Sequence, residues 1–168
     1  MDTIKKLLRL TCLVAFLIIG AGCSDQTKQD SLAYQQGIDA YAKSNYAVAL
    51  EKFKPLAERG IAQAQFNLGV MYRQGQGVPQ DDKTAVMWWT KAAEQGHVEA
   101  QDNLGLRYGR GQGVAQDWVQ AYKWFSLAAA AGNETAKGNQ HVAETKMTPQ
   151  QVAQAQDLVQ EWQAKHKK

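Results

Sequence analysis

The sequence predicts an all-α fold, a solenoid of stacked helical hairpins in about four pairs, and three observations carry that prediction. The first is a period: residues 64–99 and 100–135 align at a shift of 36 with 17 identities. A fixed repeat of roughly 20–50 residues marks a chain built by reiterating one supersecondary unit. The second is helical spacing within the unit. Ala64, Leu68 and Tyr72 fall at four-residue steps, and Ala85, Trp88, Ala92 and Ala93 at i, i+3, i+7 and i+8, so each set lies on one helix face. The third is punctuation. Gly75-Gln76-Gly77 separates the two faces and Gly96 closes the second. Paired glycines permit positive φ and cost entropy inside a helix, so they end it. Asp81 precedes the second helix as an N-cap. Each copy is thus helix, glycine turn, helix, glycine turn, with one apolar face that only stacked neighbours can bury.

Both copies carry Ala-x3-Leu-Gly-x2-Tyr-x2-Gly-x-Gly-Val-x2-Asp-x3-Ala-x2-Trp-x3-Ala-Ala-x2-Gly at every stated position. This pattern resembles the Sel-one-like repeat (SLR) family, a relative of the tetratricopeptide repeat. The resemblance covers about residues 31–162. It implies a right-handed α-α superhelix and a protein-binding adaptor, non-enzymatic and without a cofactor.

Taken in order, residues 1–22 read as a signal peptide. Lys5, Lys6 and Arg9 precede an apolar run from Leu10 to Ile19, followed by Gly20-Ala21-Gly22. That run is short for a span of ~20 residues. Cys23 next to the small residues resembles a bacterial lipobox, although Gly20 stands where that pattern prefers Leu. The resemblance implies lipidation at Cys23 and an envelope protein facing the periplasm, and Ser24 implies the outer membrane. Residues 23–30 are expected to form a polar tether.

Residues 31–63 form a divergent first hairpin. Tyr34, Ile38 and Tyr41 lie on its first helix, Ala49, Phe53 and Ala57 on its second, and Gly60 stops it. Pro55 predicts a kink or an early break near 52–54. The two full repeats follow at 64–99 and 100–135. Residues 136–168 are capping helices, one capped by Asn133 and ending near Glu144, the last starting at Thr148-Pro149-Gln150-Gln151 with the elements of a capping box.

Charge argues little about partners. The full chain carries +3, but Lys5, Lys6, Arg9 and Asp2 belong to the leader, and without them the balance falls to +1. The apparent basicity therefore gives no case for nucleic acid. Of the two cysteines, Cys12 goes with the leader and Cys23 is the lipid candidate, so packing rather than a disulfide must hold the fold.

Sequences that suggest chemistry have plainer readings. Gly75-Gln76-Gly77 and Gly111-Gln112-Gly113 follow no strand and precede no Lys-Ser/Thr pair, so they read as turns. His97-Val98-Glu99 has no partner Pro-Cys-x-x-Cys. His141 and Glu144 share a helix face but want a third metal ligand. No Gly-x-Ser-x-Gly or Ser-x-x-Lys occurs. A β-lactam hydrolase rests only on cysteine-stapled relatives, whose cysteines this chain lacks.

Positions that differ between copies are free to face a partner. On folds of this resemblance the groove is concave and lined by the first helix of each hairpin. This assigns Tyr34, Ile38 and Tyr41, then Phe66, Val70, Arg73 and Gln74, then Asp102, Leu106 and Arg110 to contact with a protein or peptide. Trp118, whose counterpart is Asp82, is either an exposed anchor for a partner or a glycan, or stacks on the neighbouring glycine turn. Asn67, Asn103 and Asn139 could bond a ligand backbone or hold one repeat to the next. Cell-wall glycan or peptide is the alternative ligand class.

Overall fold

The computed structural model describes residues 25–166, which form eight helices and no strand. They are α1 over 25–42, α2 Tyr46–Glu58, α3 Ala62–Gln74, α4 Asp82–Ala93, α5 Val98–Arg110, α6 Trp118–Ala130, α7 Glu134–Glu144 and α8 Pro149–His166. From α2 to α7 consecutive helices pair, α2 also packs on α1 through Phe53 over Gly37, and α8 folds back chiefly against α6 rather than α7. The leader and the lipidation residue Cys23 lie outside the described residues.

Local chemistry sets the boundaries. The Asp81 carboxylate accepts from Lys83 N and Thr84 N, and Asp117 and Asn133 cap α6 and α7 in the same way, each satisfying an amide that the helix leaves unpaired. Thr148 and Gln151 exchange side-chain and backbone hydrogen bonds at 3.3 and 2.9 Å, completing the expected capping box. Gly75 and Gly111 end α3 and α5 in the left-handed region. The following glycine of each turn matters between hairpins. A side chain at Gly113 would collide with the Asp82 carbonyl, and one at Gly77 would come within 2.8 Å of the Tyr46 carbonyl. Each glycine turn is therefore seated on the start of the preceding hairpin's second helix.

Two ladders run through the core. Phe53, Trp89 and Phe125 each lie over a glycine of the paired first helix, Gly37, Gly69 and Gly105. The first of these sits 32 residues before the second rather than 36, because the α1–α2 turn lacks the Gly-Gln-Gly-Val insertion. Between hairpins, buried Gln65 donates to the Ala57 carbonyl at 3.0 Å and Gln101 to the Ala93 carbonyl at 3.2 Å. Each glutamine adds a second donor to a carbonyl at the end of the previous helix, which also accepts the amide of the closing glycine, Gly60 at 3.0 Å and Gly96 at 2.9 Å. At the far end Trp162 packs on the core and its indole donates to Glu94 at 2.9 Å.

Two expectations need correction. Residues 25–30, expected as a tether, are already helical. Gln26 bonds to Asp30 one turn on, and Asp30 pairs with Arg59 at the end of α2 in the same hairpin. The helix α2 runs without a break through Pro55. Pro55 lies in its last turns on the exposed side, and the carbonyl it leaves without an amide belongs to exposed Glu51, where water can serve it.

Candidate partner-binding cleft

Leu106, Arg110 and Trp118, three of the predicted contact residues, line one cleft with Gly105, Gly109, Phe125, Asn139 and Val142. Its volume is about 150 Å³, enough for a benzene-sized group. The elements α5, α6 and α7 each contribute a wall. Gly105 and Gly109 form the floor, and Phe125 covers the first of them. Val142 stands at the mouth, 51% exposed.

Trp118 is half-buried and takes neither expected place. It rests on Gly109, where a β-carbon would lie 3.0 Å from its Cζ3, at the end of α5 rather than on the glycine turn. The pair explains itself by register. Gly109 and Trp118 replace Arg73 and Asp82 of the preceding repeat, and Tyr41 and Tyr46 of the first hairpin fill the same place edge to face at 5.4 Å. The small residue at the helix end makes room for the large one that follows the turn.

The other predicted contacts divide. Tyr34 lines a separate, larger cleft of about 420 Å³ with Asp30, Ser31, Ile61 and Gln63. Its ring packs on Phe53 at 5.6 Å and its hydroxyl accepts from Asn67 at 3.0 Å. Tyr41 donates to Gln76 at 2.6 Å, with Gln74 Oε1 at 3.1 Å. Burial and the adjacent Tyr46 raise its phenol pKa, against the lowering effect of Gln76. Ile38 and Val70 are partly buried against core clusters, while Arg73 and Gln74 are exposed. Asp102 accepts from Asn139 at 3.2 Å. Burial lifts its carboxyl above the ordinary range, and the Asn139 bond opposes that lift. Asn67 and Asn139 thus join neighbouring hairpins, the structural alternative read from the sequence.

Phe66 stacks on His97 with ring centroids 4.7 Å apart, and its carbonyl accepts from Trp89 Nε1 at 3.1 Å. His97 Nδ1 is buried without a hydrogen-bond partner, although the Glu99 carboxylate stands 3.3 Å away. Burial pushes the imidazole below its ordinary pKa, with Glu99 pulling the other way. Among the described residues no three His, Cys, Asp or Glu side chains are grouped to hold a metal, and no helix is long and apolar enough to cross a membrane.

Gly109 and Val142 were not among the predicted contacts; Asn139 was, as a bond to a ligand backbone or between repeats. The signal for Gly109 was present: it departs from the repeat together with Trp118. The period marks Asn139, 36 residues after Asn103, but nothing in it marks Val142, since α7 has lost the Leu-Gly pair.

The Sel1 repeat family model matches residues 62–97 and 98–133. No curated protein matches the chain. Among solved structures, c5321, a protective antigen present in uropathogenic Escherichia coli strains and displaying an SLR fold, is similar at 35% identity and a TM-score of 0.78. The match covers 85% of this chain and 32% of that one. A Sel1 repeat protein from Oxalobacter formigenes is similar at 34% identity and a TM-score of 0.61, over 64% of this chain and 44% of its own. The chain thus spans about a third of the first relative's length and under half of the second's. It carries two Sel1 repeats within an all-α solenoid of the SLR type.

Proposed function

We propose that the chain is a non-enzymatic adaptor that binds a protein or peptide segment along the face formed by α3, α5 and α7, anchored in the cleft beneath Trp118. Sel1 repeat proteins generally mediate protein–protein interaction, and their fold is typically a non-catalytic scaffold. The observation that carries the specific reading is the cleft. It has apolar walls, polar groups from Arg110 and Asn139, and an exposed Val142 at its mouth. A side chain seated in a desolvated pocket with a polar rim is how most interfaces concentrate their binding energy. Two departures from the repeat, Gly109 and Trp118, fall at this cleft.

Affinity capture with the full chain tests the reading against its Val142→Asp variant, chosen because Val142 is exposed and its loss spares the core. A partner held by the wild type and weakened at least tenfold by Val142→Asp, with unchanged melting, supports it. Equal retention by both proteins rejects it. Retention on purified peptidoglycan that Trp118→Ala abolishes would replace the protein partner with a cell-wall ligand.

The reading extends to the leader. Cleavage before Cys23 and lipidation there would hold the adaptor on a membrane facing the periplasm, at the outer membrane if Ser24 directs sorting. Its support is the order of charged, apolar and small residues before Cys23. Incorporation of labelled palmitate by the wild type, absent in Cys23→Ala, is the expected result, and equal labelling would overturn it.

A further inference from the structure

Arg107 is 4% exposed, and its counterpart one period earlier is the fully buried Met71. The second repeat therefore sets a guanidinium in a place that the first fills with a thioether. Arg107 Nη1 donates to Gln112 Oε1 at 2.5 Å, while its Nε is buried without a partner. Among the described residues, Arg107, Arg73 and Arg110 make no ion pair. Arg110 follows Arg107 by one turn of α5, and besides burial the charges of Arg73 and Arg110 disfavour the Arg107 charge while that of Asp82 favours it. The glycine turn that holds Gln112 is seated on the Asp82 carbonyl, which brings the ends of α3 and α5 and the start of α4 together. A buried charge without a counterion is strongly unfavourable, and one carboxylate facing three guanidiniums leaves the cluster positive.

We infer that Arg107, Arg73 and Arg110 form an oxyanion site, and that its occupant is a carboxylate of the segment bound in the adjoining cleft. Arg110 belongs to both places, since it also lines the cleft beneath Trp118. A segment seating an apolar side chain there can present a neighbouring acidic side chain to the arginines. Planar guanidiniums bind carboxylates through paired, charge-assisted hydrogen bonds. The identity of the occupant rests on the binding reading above, whereas the site itself does not.

Melting of the full chain at fixed ionic strength separates the two. The probes are sodium phosphate and the C-terminally amidated dipeptides N-acetyl-Leu-Asp and N-acetyl-Leu-Asn, so that the aspartate side chain is the one carboxylate that differs, each compared with sodium chloride. At about ten times its Kd, a ligand of one site should raise the melting temperature by roughly 3–6 °C. Phosphate and N-acetyl-Leu-Asp are expected to do so for the wild type and not for Arg107→Met. N-acetyl-Leu-Asn should bind at least tenfold more weakly than its acidic counterpart. Arg107→Met places the first repeat's residue in the second, so it should fold, and in chloride it should melt above the wild type. Absence of any phosphate shift, or equal shifts in wild type and Arg107→Met, overturns the site and leaves the cleft reading untouched. A phosphate shift with no preference for Leu-Asp over Leu-Asn overturns the carboxylate occupant and makes the ligand a free anion. If Val142→Asp leaves the Leu-Asp affinity unchanged, the cleft reading fails while the oxyanion site stands.

Discussion

Replacing Gly69 by alanine is the sharpest perturbation of the scaffold, because two effects of opposite sign meet there. Alanine inside a helix is favoured over glycine by about 1 kcal/mol. Against that, a β-carbon at Gly69 would lie 2.5 Å from Trp89 Nε1 and 2.6 Å from its Cδ1, where ordinary contact begins at 3.4 Å. Trp89 is fully buried and its indole N–H is bonded to the Phe66 carbonyl at 3.1 Å, so it cannot retreat into solvent. Overpacking of this kind costs about 1–3 kcal/mol, and a displaced, unpaired buried donor about 1–3 more. Gly69→Ala should therefore destabilise by roughly 1–5 kcal/mol after the propensity gain is subtracted. Gly69→Leu and Gly105→Leu should unfold the repeat pair. The control is Gly138→Ala in α7, where nothing lies within 4 Å of the added carbon, so propensity alone should stabilise by about 0.5–1 kcal/mol. Urea unfolding followed by tryptophan fluorescence reads both. If Gly69→Ala gains stability as Gly138→Ala does, the indole is not packed on Gly69 and the argument is refuted.

Three more outcomes follow from the same contacts. His97 is held below its ordinary pKa of 6.5 by burial, so as pH falls below that value the unfolded chain takes up a proton that the fold excludes. Stability should decline from about pH 6.5 downward, and His97→Asn, the residue at the corresponding Asn133, should decline less in urea midpoint over that range. Removing the Gln101 side chain, 2% exposed and bonded to the Ala93 carbonyl, should cost about 2–3 kcal/mol in the same assay. Thr148→Ala should cost about 1 kcal/mol and loosen the start of α8, visible as faster amide exchange at Gln151.

The fold was legible because its signals repeat and are local. Asp81, Asn133 and Thr148 cap where their side-chain chemistry indicated, and the glycine turns fall between helices. What sequence reading missed depends on contacts between distant residues. The early start of α1 has no apolar stripe to announce it, and its support comes from Arg59, which pairs with Asp30 from the end of α2. Pro55 predicted a break because its cost is usually met inside a helix, and the exposure of its surroundings decides otherwise. At the site, comparison of the copies found Leu106, Arg110 and Trp118, which differ from their counterparts. It marked Asn139 through its register with Asn103 but could not find Val142, which joins the cleft only because α7 crosses beside α5. Arg107 also differs from its counterpart, but only its burial makes that difference informative.

Site-specific photo-crosslinking tests the central claim, that the face around the cleft is where a partner sits. A photoreactive phenylalanine analogue would replace Val142 at the cleft mouth or, as control, Met87 on α4, which is 44% exposed. The account predicts a discrete protein adduct from position 142 and none from 87. Adducts from position 87 with none from 142 would contradict it.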